Sequence, residues 1–524
     1  MPQPVCSELQ RLERFLCLGK DSAVYHCQTD VSSQKYSSSD VQLVKAVLHL
    51  DNGGALAIGT ILSFSRNGRA AVRHPALFAL AVCARCGDQE TKNGVYDALS
   101  DVCHIPTDLF YFLSQHVKVG ELCDLDGRGW GRAIRRALSR WYLDNPDELQ
   151  LARHVTKYPQ RHRWRHLDVL RVAHIKTPRQ NAALGFILEY IRHGLRPAKR
   201  RFRRQSVGDV ADFLTAVKDV KSRSLDEGQL VSTIRTHRLN REHILTEWLS
   251  SPQIWKALLP NMPVMAMIRN LGRMTSLEIL KSGSDEAAHV ISRLQNRSLL
   301  MSARLHPFYL LHALRTYNNG HGDKGRLVWK PNSDIVKELE LAFNQSFTFT
   351  EPTGQRFLLA VDITTTCEGC HIDPSTAAAV LAMQIARRET EFEIVYFTEE
   401  IIPKTIDASM QLTTVMQLMP GSTDPTHTSC DCSKPIRWAL DGDKDFDVFI
   451  IFTSCRTVTN ETNVMTTLLE YRQRFNTQHT KLVVVTMSNN DCIIGDDRDH
   501  FILNVVGFDI NGLELINDFI RRMS

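Results

Sequence analysis

The segment WGRAIRRALSRWY, residues 130–142, predicts how the longer part of this chain folds. Its apolar residues recur at intervals of three and four, which places them on one face of an α-helix. They are Trp130, Ala133, Ile134, Ala137, Leu138 and Trp141. Arg132, Arg136 and Arg140 form a row on another side of this helix. The segment therefore predicts an amphipathic helix with an apolar face and a basic stripe.

The same helical spacing continues from about residue 70 to residue 345 in segments such as HPALFALAVCAR, NAALGFILEYIRHG, EHILTEWLSS and HPFYLLHALRTY. Consecutive amphipathic helices over roughly 270 residues exceed one ordinary bundle, so stacked helix pairs of the HEAT kind are the economical architecture. The Ser-rich segment that precedes them, residues 21–40, predicts a loop or a small hairpin.

The pattern changes after residue 350. RFLLAVDI, EFEIVYFT, DFDVFIIFT, KLVVVTMS and ILNVVGFD are short apolar runs separated by helical segments. Buried strands that alternate with helices predict a doubly wound parallel sheet, whose sites form at the carboxyl ends of the strands. We therefore predict a multidomain chain, with an all-α helical-repeat domain at residues 1–350 and an α/β domain at residues 351–524.

Charge divides the chain at the same point. Residues 1–350 carry 49 Lys and Arg against 33 Asp and Glu, whereas residues 351–524 carry 14 against 25, so the net charge of +5 joins a basic part to an acidic part. Such an asymmetry predicts an anionic partner for the basic part.

The 13 cysteines are odd in number and scattered, which favours reduced thiols and an intracellular protein. We expect it in the cytoplasm, with the nucleus as a further compartment. The sequence contains no secretory leader pattern and no run of roughly 18 apolar residues, so we expect no membrane association.

The most basic block lies at residues 151–200, with 12 Lys and Arg against two acids. Its candidate RNA-binding cations are Lys157, Arg161, Arg163, Arg165, Arg171 and Lys176, with His174 among them and Tyr158 and Trp164 interleaved. Basic side chains contact phosphates, and aromatic side chains stack on unpaired bases. The Arg132, Arg136 and Arg140 stripe is a further candidate. A second basic run, RPAKRRFRR at residues 196–204, fits RNA binding, a nuclear import signal or a charged loop.

Several segments along the chain resemble, in order, those of the Ro autoantigen ribonucleoprotein family, in which a TROVE domain precedes a von Willebrand factor A-like domain. They include LERFLCLG, LFALAVCARC, VCHIPTDLF, WGRAIRRALSRWY, VTKYPQR, LLPNMPVMAMIRNLGRMT, NGHGDKGRLVWKP, EPTGQRFLLAVD and GFDINGLELINDF. The resemblance implies a closed ring of HEAT-like repeats whose ends the A-like domain joins. It also implies binding of small noncoding Y RNAs on the outer surface and of misfolded RNA 3′ ends through the ring, in RNA quality control and small-RNA stability.

The resemblance also implies particular residues. In the family, Y RNA contacts involve a TKYxQR-like stretch and the His of an RxxHxK-like stretch, which correspond here to Lys157, Arg161 and His174. No Ser/His/Asp spacing or paired-carboxylate motif indicates a hydrolase, so we expect no enzyme. An alternative is a helical-repeat scaffold for proteins whose A-like domain binds an acidic ligand through a cation.

The family's A-like domains often hold Mg²⁺ or another divalent cation in three strand-end loops, with hard oxygen ligands. In the first loop Asp362, Thr364 and Thr366 retain the ligand positions, and the second loop offers Thr423 or Thr428. In the third loop Ser454 stands where the pattern has Asp. This loss favours a metal-free or weakly binding remnant over an occupied site.

The same three loops predict an alternative site of soft ligands. Their cysteines are Cys367, Cys370, Cys430, Cys432 and Cys455. Because strand-end loops converge at one edge of a sheet, these thiols could approach one another and bind Zn²⁺, against the simpler interpretation of unlinked free thiols.

Overall fold

The structure is a computed structural model of the 524-residue chain. It describes residues 7–27, 35–67, 73–125, 127, 129–178, 180–322, 325–349, 351–362, 374–398, 400–419, 431–453, 461–487, 494 and 499–521.

The region before residue 350 is helical, as the spacing of its apolar residues predicts. Its described part contains the α-helices α1 (Glu8–Leu18), α2 (Ser38–Leu48), α3 (Gly53–Asn67), α4 (His74–Cys86), α5 (Gln89–Val102), α6 (Pro106–Leu122), α7 (Arg132–Leu143), α8 (Glu148–Lys157), α9 (His166–Ala173), α10 (Ala182–His193), α11 (Leu195–Arg201), α12 (Asp209–Lys221), α13 (Glu227–His237), α14 (Pro252–Leu258), α15 (Val264–Arg269), α16 (Leu271–Ser276), α17 (Asp285–Gln295), α18 (Arg297–Ser302), α19 (Pro307–Asn319) and α20 (Ser333–Ser346). Helices one or two places apart along the chain pack together, such as α3 with α5 and α4 with α6, as in a stacked repeat.

One predicted helix has another form. The segment EHILTEWLSS forms two 3₁₀ turns, Arg241–His243 and Thr246–Ser250, with extended backbone at Ile244 and Leu245 between them. The Nδ1 atom of His243 accepts a hydrogen bond from the backbone N–H of Asn240 at 3.1 Å, which closes the first turn locally. Such side-chain bonds compete with the continuation of a helix.

The α/β domain contains the strands β4 (Phe357–Asp362), β5 (Phe392–Phe397), β6 (Ile401–Lys404), β7 (Val448–Thr453), β8 (Lys481–Thr486) and β9 (Ile502–Val506) in its described part. Its helices there are α21 (Pro374–Arg388), α22 (Leu412–Leu418), α23 (Lys434–Asp441), α24 (Glu461–Arg474) and α25 (Ile510–Arg521). The strands predicted from apolar runs are β4, β5, β7, β8 and β9, and they pair in parallel; the additional β6 pairs antiparallel with β5. The predicted fold class is confirmed.

The N-terminal part of the chain contributes a strand to this sheet. Residues Val24–His26 form β1, which pairs in parallel with β9, so the sheet order among the described strands is β1-β9-β8-β7-β4-β5-β6. The prediction of a loop or hairpin at residues 21–40 is wrong for this stretch, because its partner lies far away in sequence. The domain boundary at residue 350 stays a prediction.

Alternate residues of the sheet belong to two cores. Leu359 and Val361 of β4 join the hydrophobic cluster that also contains the helical region, whereas Leu358 and Ala360 join a second cluster beneath α23 and α24. Because successive side chains of a strand point to opposite faces, one face of the sheet packs on α21 and α25, in a core that continues into the helical region, and the other face packs on α23 and α24.

Both ends of the helical region contact the α/β domain. At the N-terminal end, β1 completes the sheet and the Arg14 guanidinium donates to the backbone oxygen of Asp499 at 3.4 Å. At the other end, the ring of Phe308 in α19 meets that of Phe508 edge-on at 5.3 Å. The helical region is therefore closed into a ring through the α/β domain, as predicted.

No single helix in the described ranges is long and apolar enough to cross a membrane, although one bent pair, Ser38–Leu48 with Gly53–Arg66, reaches that length and composition together.

Candidate nucleic-acid interface

The most basic segment of the chain forms a tight hairpin between α8 and α9. The strands β2 (Gln160–Arg161) and β3 (Trp164–Arg165) pair antiparallel, and His162 and Arg163 connect them. These two residues have φ angles of 50° and 65°. Positive φ at both central positions defines a type I′ turn, which favours Asn and Gly. A His-Arg turn of this type is strained, so the surrounding packing must hold it.

An aromatic stack holds the turn. The ring of His162 meets that of Tyr111 edge-on at 4.9 Å, and the ring of His74 stacks on the same Tyr111 at 4.0 Å. Tyr111 belongs to α6, which also packs against both hairpin strands. Burial lowers the pKa of His162, with the nearby His74 and Arg161 acting in the same direction, so its ring stacks as the neutral form at neutral pH.

A buried histidine fixes the position of the hairpin relative to the helices around it. His166 is only 3% exposed. Its Nε2–H donates to the backbone oxygen of Tyr158 at 3.1 Å, so its Nδ1 atom accepts from the Tyr142 hydroxyl at 2.7 Å. Burial lowers the pKa of His166 to about 4. The neutral ring therefore links α7, the residue after α8 and the start of α9.

The predicted RNA-binding cations lie on the outside of this unit. We call Lys157, Arg161, Arg163, Arg165, Arg171, His174 and Lys176 the hairpin surface. All are exposed except Lys157, which is half-buried. Among the described residues, no carboxylate lies within ion-pair distance of Arg161, Arg163, Arg171 or Lys176. The structure brings these side chains to adjacent elements, and their contact with RNA stays a prediction.

Lys157 and His174 differ from the other members of this surface. The Lys157 ammonium lies 4.0 Å from a carboxylate oxygen of Glu242 and 5.2 Å from the ring centroid of Tyr158. His174 ends α9 in the left-handed conformation, with φ of 52°. Lys157 is therefore held in place by its neighbours, and His174 marks the end of a helix.

The three arginines of the α7 stripe have different surroundings. Arg132 and Arg136 are exposed, whereas Arg140 pairs with Asp97 at 2.9 Å and donates to the backbone oxygen of Tyr96 at 3.1 Å. Because α7 packs against α9, Arg132 and Arg136 belong to a helix that neighbours the hairpin surface, and their contact with RNA stays a prediction. Arg140 instead joins α7 to α5.

The second basic run lies at α11 and just after it. Its charged side chains are exposed, Phe202 is buried between them, and Arg201 pairs with Glu189 at 2.7 Å. These contacts fit RNA binding, a nuclear import signal and a charged loop equally.

Of the predicted oxygen ligands of the metal site, the structure describes Asp362. Asp362 ends β4, is 1% exposed and accepts a hydrogen bond from the Thr453 hydroxyl at 2.8 Å. Thr364, Thr366, Thr423, Thr428 and Ser454 lie outside the described residues. One oriented carboxylate at the carboxyl edge of the sheet fits an oxygen-ligand site without establishing it, so the Mg²⁺ interpretation stays a prediction.

Of the five cysteines of the zinc alternative, the structure describes Cys432. Cys432 is buried in the apolar cluster beneath α23, while Cys367, Cys370, Cys430 and Cys455 lie outside the described residues. In the part of the chain that the structure describes, no group of three or more His, Cys, Asp or Glu side chains could hold a metal ion.

Sequence reasoning missed the residues that support the hairpin. His74, Tyr111 and His162 come from three separate elements, and no spacing in the sequence relates them. The one available signal was the histidine content of the basic block, which did not distinguish buried His166 from exposed His174.

Two family models match this chain. The model of the TROVE domain matches residues 1–227 and 235–316, and that of the Ro60 vWA domain matches residues 356–520. Together they cover the helical region and the α/β domain in the order in which the structure has them.

Known proteins match over nearly the full length. The RNA-binding protein RO60 of Caenorhabditis elegans is 29% identical over 579 residues, covering 99% of this chain and 88% of that protein. The RNA-binding protein RO60 of Deinococcus radiodurans is 28% identical over 523 residues, covering 98% and 93%. The crystal structure of the Deinococcus radiodurans RO (RSR) protein superimposes with a TM-score of 0.85 at 27% identity, covering 99% of this chain and 100% of that one. The chain therefore belongs to the Ro60 family of TROVE-domain proteins.

Proposed function

We propose that this chain binds small noncoding RNA of the Y type through the hairpin surface. The observation that carries the proposal is the exposure of arginines on a strained, well-packed turn without a carboxylate partner among the described residues. The names of the two relatives, both RNA-binding proteins, point to the same class of partner.

The chemistry of the surface suits structured RNA. Arg161, Arg163 and Arg171 offer guanidinium groups that bind phosphate oxygens in a bidentate manner. The packed turn sets the positions of the first two before RNA arrives, which reduces the entropy lost on binding. Phosphate contacts of this kind give an affinity that falls steeply with salt.

We further propose that the ribonucleoprotein acts in RNA quality control and in small-RNA stability, as a binder and not a catalyst. Misfolded RNAs would enter by their single-stranded 3′ ends through the ring, whose closure depends on β1 and α19. The cytoplasm is the proposed compartment, with the nucleus as a second one.

The test compares the variant Lys157→Ala/Arg161→Ala/His174→Ala with a control of the same residue types, Lys337→Ala/Arg474→Ala/His479→Ala, placed on exposed positions elsewhere. Affinity for a Y-type RNA is measured by filter binding across a salt series. We expect the hairpin variant to bind at least tenfold more weakly and the slope of log K against log salt to fall by about two, because two phosphate-binding cations are removed. The control should match the wild type.

Equal affinity and equal slope for both variants would reject the hairpin surface as the site. Failure of the wild type to bind any structured RNA would reject the function and favour the protein-scaffold alternative.

A further inference from the structure

Beside the hairpin surface lies a cavity of about 810 Å³ that the sequence does not reveal. The end of α4, the start of α5, α6 and the glycine-rich segment that leads into α7 form its walls. Arg85, Lys92, His116, Trp130 and Arg132 supply the side chains that bear on its chemistry. Among the described residues that line it, none carries a carboxylate.

One end of the cavity is suited to an anion. The 12-residue helix α7 begins there after Gly131, with no side-chain cap and no acidic residue in its first turn. The free N–H groups of a helix N-terminus carry partial positive charge and bind phosphate. The side chains of Arg132, in that first turn, and of Lys92 line the same space and add to that charge.

Arg85 is built into the wall next to this helix start. A Cβ atom at either Gly120 or Gly129 would overlap its guanidinium group, so both glycines are needed for the close approach. Its Nη2 atom donates to the backbone oxygen of Gly127 at 3.1 Å. Burial lowers the pKa of His116 and the Arg85 charge adds to that effect, whereas burial raises the pKa of Tyr96 and the Arg85 charge opposes that rise in part. The cavity therefore has a fixed positive wall.

The other end of the cavity is aromatic and contains an unsatisfied polar group. Trp130 is half-buried and stacks on His116 with ring centroids 4.9 Å apart. His116 is fully buried, and neither of its ring nitrogens has a hydrogen-bond partner among the described residues. Leaving such buried groups unpaired is unfavourable, and a bound ligand that pairs with them removes that cost. Burial, with Arg85, lowers the pKa of His116 to about 3, so the ring offers one donor and one acceptor.

We propose that this cavity binds one nucleotide, with its phosphate at the start of α7 between Arg132 and Lys92 and its base against Trp130 and His116. A base edge carries donors and acceptors together, which a neutral imidazole matches, and an indole face stacks on any base. The nucleotide is either an unpaired residue of a bound RNA or a free mononucleotide. The RNA source rests on the proposed function.

The position of the cavity favours the RNA source. The ring of Trp130 meets that of Trp164 in the hairpin edge-on at 5.5 Å. An RNA held on the hairpin surface could therefore place an adjacent unpaired nucleotide in the cavity without leaving the protein.

Isothermal calorimetry of the full chain tests the proposal with two probes, AMP and a single-stranded pentaadenylate. The variant Lys92→Gln/Arg132→Gln removes two cavity cations, and Lys337→Gln/Arg474→Gln removes two exposed ones elsewhere. We expect saturable binding by the wild type and the control, and at least tenfold weaker binding by the cavity variant. Binding of AMP identifies a free mononucleotide as sufficient, whereas binding of the pentaadenylate alone identifies an RNA nucleotide.

No saturable binding of either probe, or equal affinity of the cavity variant and the control, would overturn the proposal. The hairpin variant Lys157→Ala/Arg161→Ala/His174→Ala separates this outcome from failure of the proposed function. It should lose structured RNA and keep its affinity for AMP, since none of its three substitutions lines the cavity.

Discussion

In the α/β domain, basic side chains lie against acids of the same domain: Arg356 contacts Asp447 at 2.7 Å, and Arg472 pairs with Asp499 in the interior. On the hairpin surface, arginines stand on a strained turn and point to solvent, while the buried polar group beneath them, His166, is fully bonded to neutral partners. One region uses its charges to hold itself together. In the other, Arg165 bonds to Gln160 across the hairpin, whereas Arg161, Arg163 and Arg171 have no carboxylate partner among the described residues, which leaves these three for an anionic partner.

The comparison predicts that the largest loss of stability follows from breaking the buried pair of Arg472 and Asp499. The substitution Arg472→Met should destabilise the protein by about 3–5 kcal/mol, because it leaves the Asp499 carboxylate, 3% exposed, without its cation. The urea transition followed by circular dichroism measures the loss. The control is Arg474→Met, whose pair with Asp443 is exposed on both sides and should cost less than about 1 kcal/mol. Similar losses for the two variants would contradict the contrast.

A second prediction concerns acid and the hairpin. His166 has a pKa of about 4 when folded, below the usual 6.5, so the unfolded chain takes up its proton first as the pH falls. The stability that the neutral ring provides is complete above pH 6.5 and is lost as the pH falls from there towards 4. Between pH 6.5 and 5 we expect a loss of about 1.5 kcal/mol from this group.

Urea unfolding of the wild type and of His166→Gln across this pH range isolates that contribution. The variant starts less stable, and its curve should be flatter by the same amount, since glutamine does not titrate. Parallel curves would show that His166 is not the group that responds.

The smallest loss of stability is expected at the carboxyl ends of β4 and β7, where Thr453 contacts Asp362. Thr453→Val removes the hydroxyl that donates to Asp362 while keeping the shape of the side chain, and should cost roughly 1–1.5 kcal/mol in urea unfolding. Thr486→Val is the matched control at the end of the next strand, where a buried hydroxyl makes a long bond of 3.4 Å to a neutral backbone oxygen. If Thr486→Val loses as much stability as Thr453→Val, the bond to the Asp362 carboxylate contributes no more than a bond to a neutral oxygen.

The periodicity of apolar residues predicted α7 correctly: Ile134, Ala137, Leu138 and Trp141 are all buried there. It also predicted β4, a run of five apolar residues that ends at Asp362. All six residues are buried in the structure, as expected of a strand covered on both faces of the sheet. Both signals are local, since each depends on the repeat of a single element. Arg140 shows the limit, because its place on the basic stripe did not reveal the Asp97 carboxylate on another helix.

The sequence by itself determined the kind of element in each region, the division between a basic helical part and an acidic α/β part, and the surface where cations would gather. Only the tertiary structure decided that residues 24–26 complete the sheet, that Tyr111 and His74 hold the turn at His162, and that Gly129 lets Arg85 reach the cavity wall. The reason is physical: hydrophobic periodicity acts over a few residues, whereas pairing, stacking and close approach depend on which distant segments the packed core brings together.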